Sequence, residues 1–335
     1  MTVELSDTHV ELRQKLVHED AARMLREMMR IRIAEETLAD LYKEQEMRTP
    51  THFSIGQEAV AVGICSALGL DDVAYSGHRC HAHYLAKGGP LAPMVAELYG
   101  KQTGTAHGRG GSVHLSAPEV GFIASSAILG QTMAVATGSA WAFTMDGSRR
   151  VAACFFGDGA IEEGIFHETL NFASIKRLPV VFVCENNGYS THTPLDVRQP
   201  KGVTIWERAR CYQMASKFAD GNDVFAVRHA AEEAIDWARS GRGPYFLEFS
   251  TYRWREHVGP NWDYEAGYRT KAEVDAWIER CPIKAATARM LAAGVCTEAQ
   301  VERWRLDIQR EVDEAVVAAK AAPFPSVEHL LDGTY

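Results

Sequence analysis

At 335 residues and 46% hydrophobic content the chain can bury one large core, and its net charge of −9 argues against nucleic acid or an anionic membrane as the main partner. The seven cysteines, Cys65, Cys80, Cys154, Cys184, Cys211, Cys281 and Cys296, are odd in number and follow neither a metal-ligand spacing nor a disulfide framework, so a reducing cytoplasm is the expected compartment. Charge from Glu4 onward excludes the apolar core of a signal peptide.

Residues 1–20 are polar and read as an N-terminal arm, leaving residues 21–335 as a single α/β domain. Met24, Leu25, Met28, Ile31, Leu38 and Leu41 recur at helical spacing and predict an amphipathic helix over 21–42. Arg48-Thr49-Pro50-Thr51-His52 breaks it, and a second helix begins at Gly56-Gln57-Glu58. The segment after Ser76 is rich in imidazole, with His78, His81 and His83 close in sequence around Arg79. No cysteine or carboxylate stands beside these histidines at metal-site spacing, which disfavours zinc. Residues 104–114, GTAHGRGGSVH, read as a flexible glycine-rich loop. The nearly uncharged stretch 127–145 has the length of a bilayer span, but its Ala, Gly, Ser and Thr content and Gln131 favour a buried helix at a subunit boundary.

The most informative stretch is 151–190. An apolar run at 151–156 stops at Gly157-Asp158-Gly159, Ile161, Ile165, Phe166 and Leu170 then follow at helical spacing, and a second apolar run at 178–184 ends at Glu185-Asn186-Asn187. Strand, helix and strand of these lengths predict a crossover unit of a parallel sheet, whose ligands bind beyond the carboxyl ends of the strands. Asp158, the Asn187 amide oxygen and the Tyr189 carbonyl can then converge on a hard cation such as Mg2+, which prefers oxygens. The amides of Gly159 and Ala160 are expected to open a helix whose N-terminus favours a diphosphate. Beyond a turn at Asp220-Gly221-Asn222-Asp223, a helix is predicted over 224–240 and a buried strand over 244–250, with Arg253 and His257 on the loop after it.

A GDG turn alone is a weak sign; followed by a strand that ends in NN, it resembles the thiamine diphosphate motif. Together with HFSIGQEAVAVG, GRGGSVH, LPVVFVCENNGYS and TYRW, it makes the chain from about Met24 onward similar to the α subunit of the decarboxylating component of 2-oxo acid dehydrogenase complexes, the group holding the pyruvate, branched-chain and acetoin dehydrogenases. That resemblance implies a doubly wound parallel sheet with helices on both faces, forming the diphosphate-binding half of a thiamine diphosphate fold. It implies thiamine diphosphate and Mg2+ as cofactors, with Asp158, Asn187 and Tyr189 on the metal. It places Arg79, Gly159, Ala160 and Arg253 around the diphosphate, with His78 where relatives such as pyruvate dehydrogenase carry tyrosine. The backbones of Ala127 and Leu129 are expected against the aminopyrimidine, alanine being tolerable at 127 only with ordinary backbone angles. His52, His81 and His257 are expected to manage protons or stabilise anions, whereas His83 has no assigned role.

The implied partners are a β subunit, in an α2β2 heterotetramer, that supplies the activating glutamate, and a lipoyl acyltransferase that accepts the acyl unit. The substrate class is a small 2-oxo acid or acyloin. Two alternatives stay open on the residues alone: a two-subunit acyloin-forming or transketolase-like carbon–carbon lyase without a lipoyl partner, and a non-catalytic nucleotide-binding α/β protein. Against the latter, no G-x-G-x-x-G follows the first strand.

Overall fold

A computed structural model of the chain describes residues 7–202, 204–329 and 331–332, with side chains from residue 18 onward. In chain order the elements are α1 (Asp7–Leu41), α2 (Glu58–Ala67), β1 (Val73–Ser76), α3 (His81–Ala86), α4 (Leu91–Leu98), β2 (Phe122–Ser125), α5 (Gln131–Met145), β3 (Ala152–Gly157) and α6 (Gly164–Lys176). There follow β4 (Val180–Asn186), the short hairpin of β5 (Tyr189–Ser190) and β6 (Thr193–Pro194), α7 (Leu195–Arg198), α8 (Ile205–Ala209), β7 (Ala215–Asp220), α9 (Val224–Arg239), β8 (Tyr245–Ser250), α10 (Lys271–Glu279), α11 (Pro282–Ala292) and α12 (Glu298–Ala321).

The two apolar runs of the GDG region become β3 and β4, neighbours in a six-stranded sheet of order β2-β1-β3-β4-β8-β7. Every pairing in it is parallel. Successive side chains of a strand point to opposite faces, and β3 follows that rule strictly. Ala153 and Phe155 join one core with Leu25 and Ile31 of α1, Val60 of α2, Val227 of α9 and Val312 of α12. Ala152, Cys154 and Phe156 join the other, with Met133 and Ala136 of α5 and Phe166 and Leu170 of α6. Helices thus cover both faces, which is why β3 and β4 read as unbroken apolar runs.

Three expectations are corrected. The helix expected from residue 21 already begins at Asp7, so most of the segment read as an arm is helix; Val10, Leu12, Leu16 and Val17 carry the helical spacing into it, but they are sparse among charged and polar residues. Residues 1–6 lie outside the described residues. Likewise, α5 starts at Gln131, not at residue 127, because Gly130 turns the chain with φ 73° just before it. Its buried face carries Met133, Ala136 and Ala140, while Val135, Trp141 and Met145 stand exposed on the other side. Finally, residues 158–162 form a separate 3-10 turn, and α6 begins only at Gly164. Gly159 and Ala160 therefore do not open the long helix. Among the described residues no helix is long and apolar enough to cross a membrane.

Candidate active site

The sheet order reverses direction between β1 and β3: the chain leaves β1 toward β2 on one side and leaves β3 toward β4 on the other. Such a switch point opens a crevice at the carboxyl edge of a parallel sheet. A cavity of about 460 Å3 occupies that position, walled by Ser76 to Arg79 at the carboxyl end of β1, Gly157 to Ala160 at that of β3 and Glu185 and Asn187 at that of β4. Ala127 and Leu129, on the turn before α5, and His257, beyond β8, complete its rim. Ala127 has no positive φ, so alanine sits at this rim position without strain.

Asp158 is buried, with its side chain 1% exposed. It accepts a hydrogen bond from the Asn187 backbone amide at 3.3 Å and forms an ion pair with Arg198 of α7, whose guanidinium also reaches Glu162. Burial pushes the Asp158 carboxyl above its usual range even though Arg198 pulls it down. Asn187 donates its side-chain amide to Gln57 at 3.4 Å, and its amide oxygen accepts the Tyr189 N–H at 3.2 Å. A Cβ at Gly159 would stand 2.6 Å from Ser190 Oγ, so any side chain there must displace Ser190 of the β5–β6 hairpin. The cluster offers hard oxygens beside a glycine cradle, the donor chemistry that suits Mg2+ with a diphosphate. Gln57, to which the sequence pattern assigns no role, belongs to this cluster.

Three imidazoles converge across the cavity. The ring centroids of His52 lie 4.7 Å from His78 and 5.1 Å from His257, and His78 and His257 are 5.4 Å apart. Behind them Arg79 donates to the backbone oxygens of Phe53 and His257. Burial, and then the Arg79 charge, hold His52 down at about 2, His78 at about 4 and His257 at about 3. Burial first, and then Arg253, lower Arg79 itself to about 9.

The three rings are neutral at pH 7 and resist protonation in the folded chain, whereas the unfolded chain takes up protons near the ordinary histidine value of about 6.5. Their contribution to stability is therefore intact above that value and declines as pH falls from it toward 4. The thermal midpoint of the chain without added cofactor should drop across this window, and His52→Gln should make the drop shallower. Identical slopes for the two proteins would contradict this origin.

His81, expected among these catalytic imidazoles, does not line the cavity. It is fully buried, with Nδ1 3.1 Å from Glu35 and Nε2 2.8 Å from Ser112 Oγ. Ser112 Oγ in turn accepts the His52 backbone N–H at 3.3 Å, so His81 positions His52 indirectly. His83 does face the cavity. Its ring stacks on Phe155 with centroids 4.0 Å apart, Nδ1 meets Ser76 Oγ at 2.8 Å, and Nε2 stands 3.2 Å from Glu185 without the alignment of a hydrogen bond.

Arg253 is also placed differently from expectation, being 1% exposed and absent from the cavity wall. Its guanidinium donates to the backbone oxygens of Arg255 and Thr191 and to the Tyr268 hydroxyl, and it pairs with Asp263 at 3.3 Å. Arg269 shares the same carboxylate. The Arg253 side chain thus knits its own loop together. The glycine-rich loop is equally restrained, contrary to the flexible loop expected. Glu97 of α4, fully buried, accepts the backbone N–H groups of Ala106 and Gly108 at 2.8 and 2.9 Å and those of Gly110 and Gly111 at 2.7 and 3.0 Å.

A doubly wound sheet that opens an oxygen-lined, imidazole-rimmed cavity at its switch point has the architecture of an α/β protein that binds a ligand or cofactor there. The chain belongs to the family described as "Dehydrogenase E1 component", whose sequence model matches residues 26–328. It is 37% identical over 321 residues to the α subunit of the acetoin:2,6-dichlorophenolindophenol oxidoreductase of Bacillus subtilis, covering 96% of this chain and 95% of that protein. It is 37% identical over 315 residues to the pyruvate dehydrogenase E1 component α subunit of Zymomonas mobilis, covering 93% and 87%. With the mitochondrial pyruvate dehydrogenase E1 α subunit type II of Ascaris suum it shares 34% identity over 330 residues, covering 98% and 83%. Membership implies thiamine diphosphate as the cofactor and a β subunit as the partner.

Proposed function

We propose that this chain is the α subunit of a thiamine diphosphate- and Mg2+-dependent 2-oxo acid dehydrogenase, working in the cytoplasm as an α2β2 heterotetramer. It removes CO2 from a small 2-oxo acid, or cleaves acetoin, and the acyl unit passes to a lipoyl domain. The observation that carries this reading is the meeting of Asp158, Asn187 and the Gly159 turn with Arg79 and the imidazoles in one cavity at the switch point. When bound, the cofactor supplies a carbon nucleophile and a sink for the electron pair left by CO2.

In this reading Asp158, the Asn187 amide oxygen and the Tyr189 carbonyl hold Mg2+, and Arg198 yields Asp158 to it. The backbone of Gly159 and Ala160, with Arg79 and His78, surrounds the diphosphate, and the backbones of Ala127 and Leu129 face the aminopyrimidine. His52 and His257, neutral in their buried setting, donate N–H to the carboxylate or oxyanion of the substrate. As bases they are too weak alone, and an incoming negative charge raises their proton affinity. The seven cysteines are free, and all but Cys211 are buried, which fits a reducing compartment.

The acetoin reading is retained because the names of the relatives cover both substrate classes. The test is turnover of a panel of 2-oxo acids and acetoin, with thiamine diphosphate, Mg2+ and an artificial electron acceptor. The chain alone should be inactive, and a co-expressed β-type subunit should restore turnover. Sustained turnover by the purified chain alone would defeat the two-subunit reading.

A further inference from the structure

We propose that His52, His78 and His257 form a second cation site, one that takes a single late divalent transition-metal ion such as Zn2+ or Cu2+ across the cavity. The three side chains come from different segments: the stretch before α2, the turn after β1 and the loop after β8. Each offers a ring nitrogen, and the three nitrogens all lie within 4.8 Å of one another. His52 Nδ1 is buried without a hydrogen-bond partner among the described residues. The trio adjacent in sequence, His78, His81 and His83, is not the site, since His81 is engaged by Glu35 and Ser112 and His83 faces Ser76 and Glu185.

Zinc–imidazole bonds of about 2.0–2.1 Å place tetrahedral ligand nitrogens roughly 3.4 Å apart. The rings must therefore close by about 1 Å, a shift within reach of side-chain rotation because all three are only partly buried. The cavity leaves the fourth position to water or an anion. Neutral imidazoles without a carboxylate select Cu2+, Zn2+ and Ni2+ over Mg2+, whereas the oxygens around Asp158 have the opposite preference. One cavity thus holds two cation sites of different chemistry.

Two features set the affinity. Arg79 stands 3.5 Å from His257 Nδ1 and opposes a dipositive ion. Nor does any of the three rings donate to a carboxylate among the described residues, support whose loss costs metal sites about 10- to 100-fold. The site is therefore a weak, inhibitory one, filled when free transition metal rises: an ion held there takes His78 from the diphosphate and bars the substrate from the rim, a consequence that rests on the proposed function.

The experiment is calorimetric titration of the purified chain with Zn2+ in excess Mg2+, so that the oxygen site is already served. A parallel titration with Co2+ reads the visible ligand-field bands of nitrogen coordination. One equivalent of Zn2+ should bind. His78→Ala and His257→Ala should each weaken it by at least about tenfold and abolish the Co2+ bands. Asp158→Asn should leave Zn2+ affinity unchanged. Zn2+ affinity that survives both histidine substitutions, or that falls with Asp158→Asn, overturns the proposal. Should an alanine variant fail to fold, the glutamine variants keep the side-chain volume: a Zn2+-induced rise in thermal midpoint confined to the unsubstituted chain supports the site, and an equal rise in the glutamine variants overturns it.

Discussion

Replacing Glu97 with alanine is expected to lower the stability of the chain by about 4 kcal/mol or more and to expose the glycine-rich loop to protease. The Glu97 carboxylate is fully buried and receives four backbone N–H groups from residues 106–111. Each buried donor left without an acceptor costs about 1–3 kcal/mol, and water entering the loop recovers part of the sum. The glycines are adapted to this arrangement, since a Cβ at Gly104 would lie 2.3 Å from Glu97 Oε2. The loop leads into Ser112, which holds His52, so the damage should reach the cavity as well as the fold. Urea unfolding gives the stability, and trypsin cleavage at the exposed Arg109 gives the loop opening. Glu97→Gln, which keeps one carbonyl acceptor, should fall between the two proteins. An alanine variant as stable and as protease-resistant as the parent would show that the amides find other partners.

Asp158→Asn should remove Mg2+-dependent binding of thiamine diphosphate, with a loss of at least about 100-fold in affinity, while the chain stays folded. In the proposed metal shell Asp158 is the one carboxylate whose charge offsets the dehydration of Mg2+, and a 100-fold loss corresponds to about 2.8 kcal/mol. Asparagine preserves the volume and an oxygen able to accept from the Asn187 amide. Arg198 loses one partner but keeps Glu162. Calorimetric titration with cofactor in the presence and absence of Mg2+ makes the measurement, and circular dichroism checks the fold. Undiminished affinity would remove Asp158 from the metal shell.

How far the sequence can be read depends on how local each signal is. The runs that become β3 and β4 are legible because both faces of these strands are covered, and the polar turns that end them are contiguous in the chain. By contrast, β7 is not legible because it is an edge strand, ASKFAD, whose Phe218 is exposed and whose apolar residues do not alternate cleanly. The short strands β1 and β2 lie beside loops rich in Gly and Ser, which hide their ends. Ala127, Leu129, Asp158, Gly159, Asn187, His52, His78, Arg79 and His257 do meet in one cavity.

Arg253 and His81 depart from expectation for a shared reason: the direction of a long or bifunctional side chain is decided by distant partners, here Asp263 with Tyr268 and Glu35 with Ser112. The hold of Glu97 on the glycine loop is hidden because a lone carboxylate in the last turn of an apolar helix carries no local mark of what it binds. The His52, His78 and His257 cluster is equally hidden, since three segments must fold before it exists.

The alternation of β3 between two separate cores gives the site a parity. Ala153 and Phe155 belong to one layer, and Ala152, Cys154 and Phe156 to the other. A slip of one position would hand each layer the other's side chains, and would carry Gly157 and Asp158 past the end of β1 by a strand residue with their faces exchanged. The two layers hold the strand as opposed jaws hold a ratchet, so only even steps preserve orientation, and an even step displaces the turn by about 7 Å. Reaction geometry at the edge is thereby gauged by packing on both sides of the sheet, which reaches the cavity wall itself at Phe155 and Phe156.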